Sequence, residues 1–148
     1  MNLENKITED LKNAMKSKDQ AALRSVRAIK AAILLFKTDG SGNALDAASE
    51  IKILQKLVKQ RQDSLEIFEK QAREDLAVTE REEIAIIQKY LPAQLSEADL
   101  KATIQAIITE TGATSAKEMG KVIGLANQRL AGKAEGKAIA AMVKELLN

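Results

Sequence analysis

The residues of this 148-residue chain best placed to meet a ligand lie near its C-terminus. They form two runs, Met119-Gly120-Lys121-Val122-Ile123-Gly124 and Gly132-Lys133-Ala134-Glu135-Gly136-Lys137. A glycine inside a helix costs roughly 1 kcal/mol relative to alanine, so a helix that holds two needs a reason. Gly120 and Gly124 stand four apart and share a face, which opens a notch that another backbone can approach. Lys117 and Lys121 border the notch, one helical turn apart. Lys133 and Lys137 follow on a glycine-flanked loop. Ammonium groups around a backbone-accessible notch suit a phosphodiester chain, which is gripped by charge and without base readout. Lys117, Gly120, Lys121, Gly124, Lys133, Gly136 and Lys137 are therefore the candidate RNA-binding residues. The same spacing also serves the packing of a neighbouring helix of the same bundle, the commonest use of Gly-x-x-x-Gly in a soluble protein.

Little else in the sequence could run a reaction. Histidine and cysteine are both absent. That removes the usual base near neutral pH, the Ser-His-Asp triad, thiolate nucleophiles, disulfides and the commonest metal ligands. Ser64, Ser96 and Ser115 have no base to activate them. Asp and Glu are plentiful but show no calcium-loop spacing. Glu80, Glu82 and Glu83 read as helix-start carboxylates favoured by the dipole, with Thr79 and Glu82 as a capping box. Arg61 interrupts an apolar stripe and reads as a snorkelling side chain whose head meets an acid, either Asp75 or a carboxylate of the fourth helix. No catalytic residue is assigned, and no cofactor or metal is expected. Only three aromatics occur, Phe36, Phe68 and Tyr90, too few for a base-stacking platform. Tyr90 reads as packing at a junction between two subdomains.

The elements that must position these residues all carry helical periodicity. Leu3, Ile7, Leu11 and Met15 form one stripe. Leu23, Val26, Ile29, Ile33 and Phe36 form another, and Thr38–Asn43 breaks it. Ile51, Leu54, Val58, Leu65, Phe68 and Ala72 predict one long helix over 46–72. Ile84, Ile87 and Leu91 mark a fourth helix, which Pro92 ends. Ser96 restarts the chain in a helix with Leu100, Ile104, Ile107 and Ile108 on one face, and Gly112 closes it. Ser115 and Glu118 open the next, whose face is Met119, Val122, Ile123, Ala126 and Leu130. Ile139, Met142, Val143, Leu146 and Leu147 line the last. The expectation is an all-α chain of two bundles, about four helices in 1–92 and about three in 93–148. The second group is small enough to be only marginally stable alone.

Several of these stretches together resemble the YqeY-like proteins. They are Glu83-Ile84 through Tyr90-Leu91-Pro92, Gly112-Ala113-Thr114-Ser115, Met119-Gly120-Lys121-Val122 and Gly132-Lys133-Ala134-Glu135-Gly136. Leu23-Arg24, Arg61-Gln62-Asp63-Ser64 and Arg73-Glu74-Asp75-Leu76 are similar to the same family. The resemblance covers essentially the whole chain. It implies kinship with the C-terminal tail domain of the GatB subunit of the glutamine-dependent tRNA amidotransferase, hence a helical fold and tRNA as the partner. The active sites of that complex lie outside the part matched, so a carbon–nitrogen ligase label, with glutamine as amido donor, would come by kinship alone. The chain departs from the family pattern at Lys133 and Glu135, where Arg and Asp are usual, and at Ile123, where Met is common. Lysine keeps the charge of arginine but loses its bidentate fork. Ala72 replaces a usual glycine, which predicts a more helical turn before Arg73.

Net charge is +2 overall, which excludes a polybasic coat. Its distribution is uneven: residues 12–37 carry +6, residues 63–83 carry −5 and residues 117–137 carry +3. Two functional expectations follow. One is a tRNA-associated accessory protein. The other is a protein-interaction adaptor that docks through the long helix 46–72. No stretch reaches about 18 consecutive apolar residues, so no membrane helix is expected. The first ten residues resemble neither a secretory leader nor an Arg-rich transit peptide, and a cytoplasmic location is expected.

Overall fold

Short polar residues start most of the helices. The Asn2 side chain accepts from Asn5 N at 2.8 Å, Asp19 from Ala22 N at 3.1 Å, Asp46 from Ser49 N at 2.8 Å and Ser96 from Asp99 N at 3.1 Å. Each bond satisfies an amide that the first helical turn leaves unpaired. The computed structural model describes residues 2–148. It has α1 (Leu3–Ser17), α2 (Gln20–Lys37), α3 (Ala47–Lys70), α4 (Glu74–Gln88) and α5 (Glu97–Thr111). A 3₁₀ turn at Ala116–Glu118 leads into α6 (Met119–Arg129), and α7 (Gly136–Leu147) follows. No strand occurs among the described residues, so the all-α expectation holds. The chain divides into two compact units, residues 1–91 and 92–148.

The N-terminal unit holds α1 to α4 around Ile7, Val26, Ile29, Ile33, Leu54, Val58 and Ile87. Burying each such side chain contributes roughly 1.5–3 kcal/mol. Met15 does not belong to this core; it is 56% exposed, and Ala14 is buried instead. The reason is arithmetic. A strict four-residue step drifts about 40° per repeat from a 3.6-residue turn, so the stripe of Leu3, Ile7 and Leu11 has rotated off the core by residue 15.

The fourth helix starts five residues earlier than its expected capping box. α4 begins at Glu74, so Thr79 and Glu82 lie inside it, and Glu80, Glu82 and Glu83 are not helix-start carboxylates. What begins α4 is the way α3 ends. Arg73 N donates to Phe68 O at 2.8 Å and Ala72 N to Glu69 O at 3.1 Å. These are the two bonds of a Schellman ending, which needs a left-handed residue at Ala72. Ala72 has φ of 56°. The turn before Arg73 is therefore not more helical for having lost the family's glycine; it is the same turn made with a strained residue. Arg73 then pairs with Asp75 at 2.8 Å.

Glu83 is the polar centre of this unit. Its Oε1 lies 3.2 Å from Arg61 Nε of α3 and its Oε2 lies 3.6 Å from Arg24 Nε of α2. Arg61 also donates to Leu57 O at 2.9 Å, and Arg24 reaches Glu82 at 2.9 Å. The side chains of Glu83 and Arg61 are 12% and 16% exposed. The acid that meets Arg61 is thus Glu83 and not Asp75. Glu80 stands nearby, and its carboxyl is shifted up by burial and by the Glu83 charge, with Arg61 opposing. Just beyond the end of α4 the Tyr90 hydroxyl donates to Asp10 of α1, and the Lys6 ammonium sits 5.2 Å from the ring centroid. Burial, followed by the Asp10 bond, pushes the Tyr90 phenol above the ordinary tyrosine range.

The C-terminal unit packs α5, α6 and α7 around Ile104, Ile107, Val122, Ala126, Ile139 and Val143. α5 ends on Gly112 with φ of 70°, where glycine takes the left-handed position without strain.

Three outcomes are expected. Ala72→Gly should stabilise the protein by about 1 kcal/mol in urea titrations, because it relieves the left-handed strain at little other cost. Glu83→Ala should destabilise by about 2–3 kcal/mol, somewhat less than a fully buried pair, because it leaves Arg61 largely buried without its acid. The raised Tyr90 pKa stabilises the fold below about pH 10, the unfolded value, and that contribution is lost as pH rises toward the folded value. Stability should therefore fall above about pH 10, and Tyr90→Phe should remove that slope; the phenolate absorbance of the only tyrosine follows the titration directly.

Candidate functional site

α6 has two unlike faces. Val122 and Ala126 point into the core. Gly120, Lys121, Gly124, Asn127 and Gln128 are exposed, and at 100° per residue they make one continuous outer face. A Cβ added at Gly120 or at Gly124 would meet no atom within 4 Å. Among the described residues no other helix of the C-terminal unit fills the notch, so packing within that unit does not account for the two glycines. One added at Gly136 would lie 3.9 Å from Asn127 Oδ1, so the start of α7 adjoins the far end of the same face.

The N-terminal end of α6 is built by its acids. Glu118 Oε2 accepts from Thr114 N at 2.6 Å and from Ser115 N at 3.4 Å. The Thr114 amide is the main cause that holds the Glu118 carboxyl below its usual range. This carboxylate contact fixes the 3₁₀ turn that carries Lys117. Glu118 therefore has a local structural task, although it sits among the candidate lysines.

At the other end, the loop bearing Lys133 is held from the opposite side of the unit. Gly132 is buried with φ of 78°, a position that favours glycine. Its carbonyl accepts from Gln94 Nε2 at 2.6 Å, and the Lys133 carbonyl accepts from Leu95 N at 2.9 Å. Gln94 Nε2 also lies 3.1 Å from Pro92 O. The segment 92–95 is thus a strap across the loop. No reading of the sequence singled out Gln94, because its partner is 38 positions away and no local pattern marks it.

The seven candidate residues do not form a single cluster. Lys117 and Lys121 stand at the start of α6, and Lys133 and Lys137 lie beyond its end. An 11-residue helix spans roughly 16 Å, so the four lysines make two pairs, one at each end of the glycine face. All four are exposed; Lys121 is near enough to Glu118 for its charge to help hold that carboxyl down. Arg129, counted in the positive segment, is not available in the same way. It is engaged by Glu110 of α5 at 2.5 and 2.6 Å. The arrangement is chemically simple: two sets of mobile ammonium groups flank a smooth backbone surface. Among the described residues no three Asp or Glu side chains come together in a group that could hold a metal ion. Among the described residues no helix is long and apolar enough to cross a membrane.

The Yqey-like protein family matches residues 4–147. A relative from Lachancea thermotolerans, altered inheritance of mitochondria protein 41, mitochondrial, is 37% identical over 107 residues, 70% of this chain and 57% of its own length. Its namesake in Clavispora lusitaniae is 34% identical over 125 residues, covering 82% and 72%. That of Pyrenophora tritici-repentis is 31% identical over 134 residues, covering 87% and 71%. The chain thus spans little more than half the length of the first of these relatives.

These names overturn the cytoplasmic location expected from the sequence, because the relatives are mitochondrial proteins. That expectation rested on the composition of ten residues. A compartment is addressed by separable targeting segments, and a folded helical domain carries no such address in its core. With the family matched from residue 4 to residue 147 and relatives aligned along most of the chain, the protein belongs to the YqeY-like family.

Proposed function

We propose that the protein is an RNA-associated accessory factor whose C-terminal unit lies against the backbone of tRNA, as its resemblance to the amidotransferase tail implies. The observation that carries this reading is the outer face of α6. Gly120 and Gly124 leave it open, although alanine would make a better helix at both positions. A helix with two unfilled glycines among exposed lysines is locally suboptimal, and close approach of another backbone gives the glycines a use. Lys117 and Lys121 at one end, and Lys133 and Lys137 at the other, supply phosphate contacts about one short helix apart. Such contacts read shape and charge and leave base identity unread, which suits an RNA body common to many tRNAs. No reaction is assigned to the chain itself, and any part in amide transfer would be played beside a catalytic partner.

Titration of the protein with total tRNA across a range of salt tests the reading. Four phosphate contacts give a log–log slope of roughly −3 to −4, by analogy with DNA. The Lys117→Ala/Lys121→Ala and Lys133→Ala/Lys137→Ala pairs should each flatten it by about two. Gly120→Gln/Gly124→Gln should bind about tenfold more weakly while unfolding no earlier in urea, since both side chains project into open space and glutamine is the better helix former. An unchanged slope in both lysine variants, or full binding by the glutamine variant, would sink the proposal.

A further inference from the structure

A second surface lies in the N-terminal unit, between α2 and α3. α3 lies along α4 for much of its length and meets α2 more sparingly. The two helices leave a trough of about 760 Å³. Ala28 and Ala32 give it a low floor, and Leu35, Phe36, Ile53 and Leu57 wall it. Leu35 is 69% exposed and the adjacent Leu34 is 62% exposed, which is unusual for side chains with no task at a surface.

The α3 side of the rim is basic. Lys52 and Lys56 line the α3 side, both exposed; Lys52 is near enough to Asp46 for its charge to lower that carboxyl. Standing four apart, they are about 6 Å from each other along the helix. The acid that lines the trough, Asp39, sits at the loop end and accepts from Ser41 N at 2.9 Å. Its carboxylate stays ionised, held down by the Ser41 bonds, so the lining acid stands at the loop end and the lysines along the α3 side.

We infer that this trough is a docking site for an amphipathic helix of a partner protein whose apolar stripe is flanked by acidic residues. The length fits: Ala28 to Phe36 spans roughly 12 Å of α2, or somewhat over two helical turns. Apolar anchors at i, i+3 or i+4 and i+7 fill such a trough. Glutamates four apart on the flank of that helix match the spacing of Lys52 and Lys56. A small molecule is a poorer occupant, because the polar groups stand at the ends and rim and do not converge within the trough. A second copy meeting face to face is disfavoured by charge, since Lys52 and Lys56 of the two copies would oppose each other across a two-fold axis. The inference concerns the other unit from the proposed RNA surface and does not rest on it.

Fluorescence anisotropy with two labelled helical peptides of about 14 residues tests it, a length of roughly 21 Å when helical. Both carry leucine at the anchor positions; one has glutamate on the flanks and the other lysine. The glutamate peptide should bind the full chain at least tenfold more tightly than the lysine peptide. Lys52→Glu/Lys56→Glu should reverse that order. Ala31→Trp, which places bulk at an exposed lining position, should weaken the glutamate peptide about tenfold without lowering the thermal midpoint. Failure of both peptides to bind would overturn the inference, as would equal binding that the charge reversal leaves unchanged. So would displacement of the peptide by tRNA. Concentration-dependent self-association lost in the Lys52→Glu/Lys56→Glu variant would assign the trough to a second copy and equally overturn it.

Discussion

A single carboxylate holds three helices in register. Glu83 sits on α4 between Arg61 of α3 and Arg24 of α2, at 3.2 and 3.6 Å. An acid so little exposed is tolerated only with partners in place, and the largely buried Arg61 guanidinium depends equally on it, whereas Arg24 also has Glu82. The aliphatic core around Ile29, Leu54 and Ile87 supplies most of the driving force, but such a core tolerates sliding and repacking. The ion network does not, because its geometry fails within about an ångström. The rotation of α3 about its axis, and with it the side that Ile53 and Leu57 present to α2, follows from where Arg61 must point.

The C-terminal unit solves a different problem. Its core is built from three short helices, so its outer surfaces are set by turns more than by helix length. Two turns matter most. One is pinned by the Glu118 carboxylate on the Thr114 and Ser115 amides. The other is pinned by Gln94 and Leu95 on the carbonyls of Gly132 and Lys133. Fixed turns at both ends of α6 give flexible lysines a rigid base, which lowers the ordering cost of any contact they make.

Most of the helices were legible because caps and periodicity are local. Asn2, Asp19, Asp46 and Ser96 each act within three residues of themselves. The start of α4 was hidden because a Schellman ending normally announces itself with glycine, and here Ala72 carries the left-handed turn. Arg61 was recognisable as needing an acid, yet Asp75 and the acids of the fourth helix are equivalent in sequence, and only packing selects Glu83. The glycine pair illustrates the other limit. Its spacing announces a notch, while whether a helix occupies it depends on elements distant in sequence, and among the described residues none of the C-terminal unit does. The count of positive charge between residues 117 and 137 likewise included Arg129, whose neutralisation by Glu110 depends on how α5 meets α6.

The strap at Pro92–Leu95 bears on how such a unit can be moved between proteins. The peptide that leads into the three helices is also a fastening for the loop between the last two, through one side chain and one backbone amide. A module cut at Ser96, where the first helix is capped, would carry every helix and most of the core but would leave the Gly132–Lys133 carbonyls unclasped. The natural seam for grafting or duplication therefore lies on the far side of Pro92. The entry peptide is inherited cargo, and a fusion that treats it as a disposable spacer would transplant the shape without its latch.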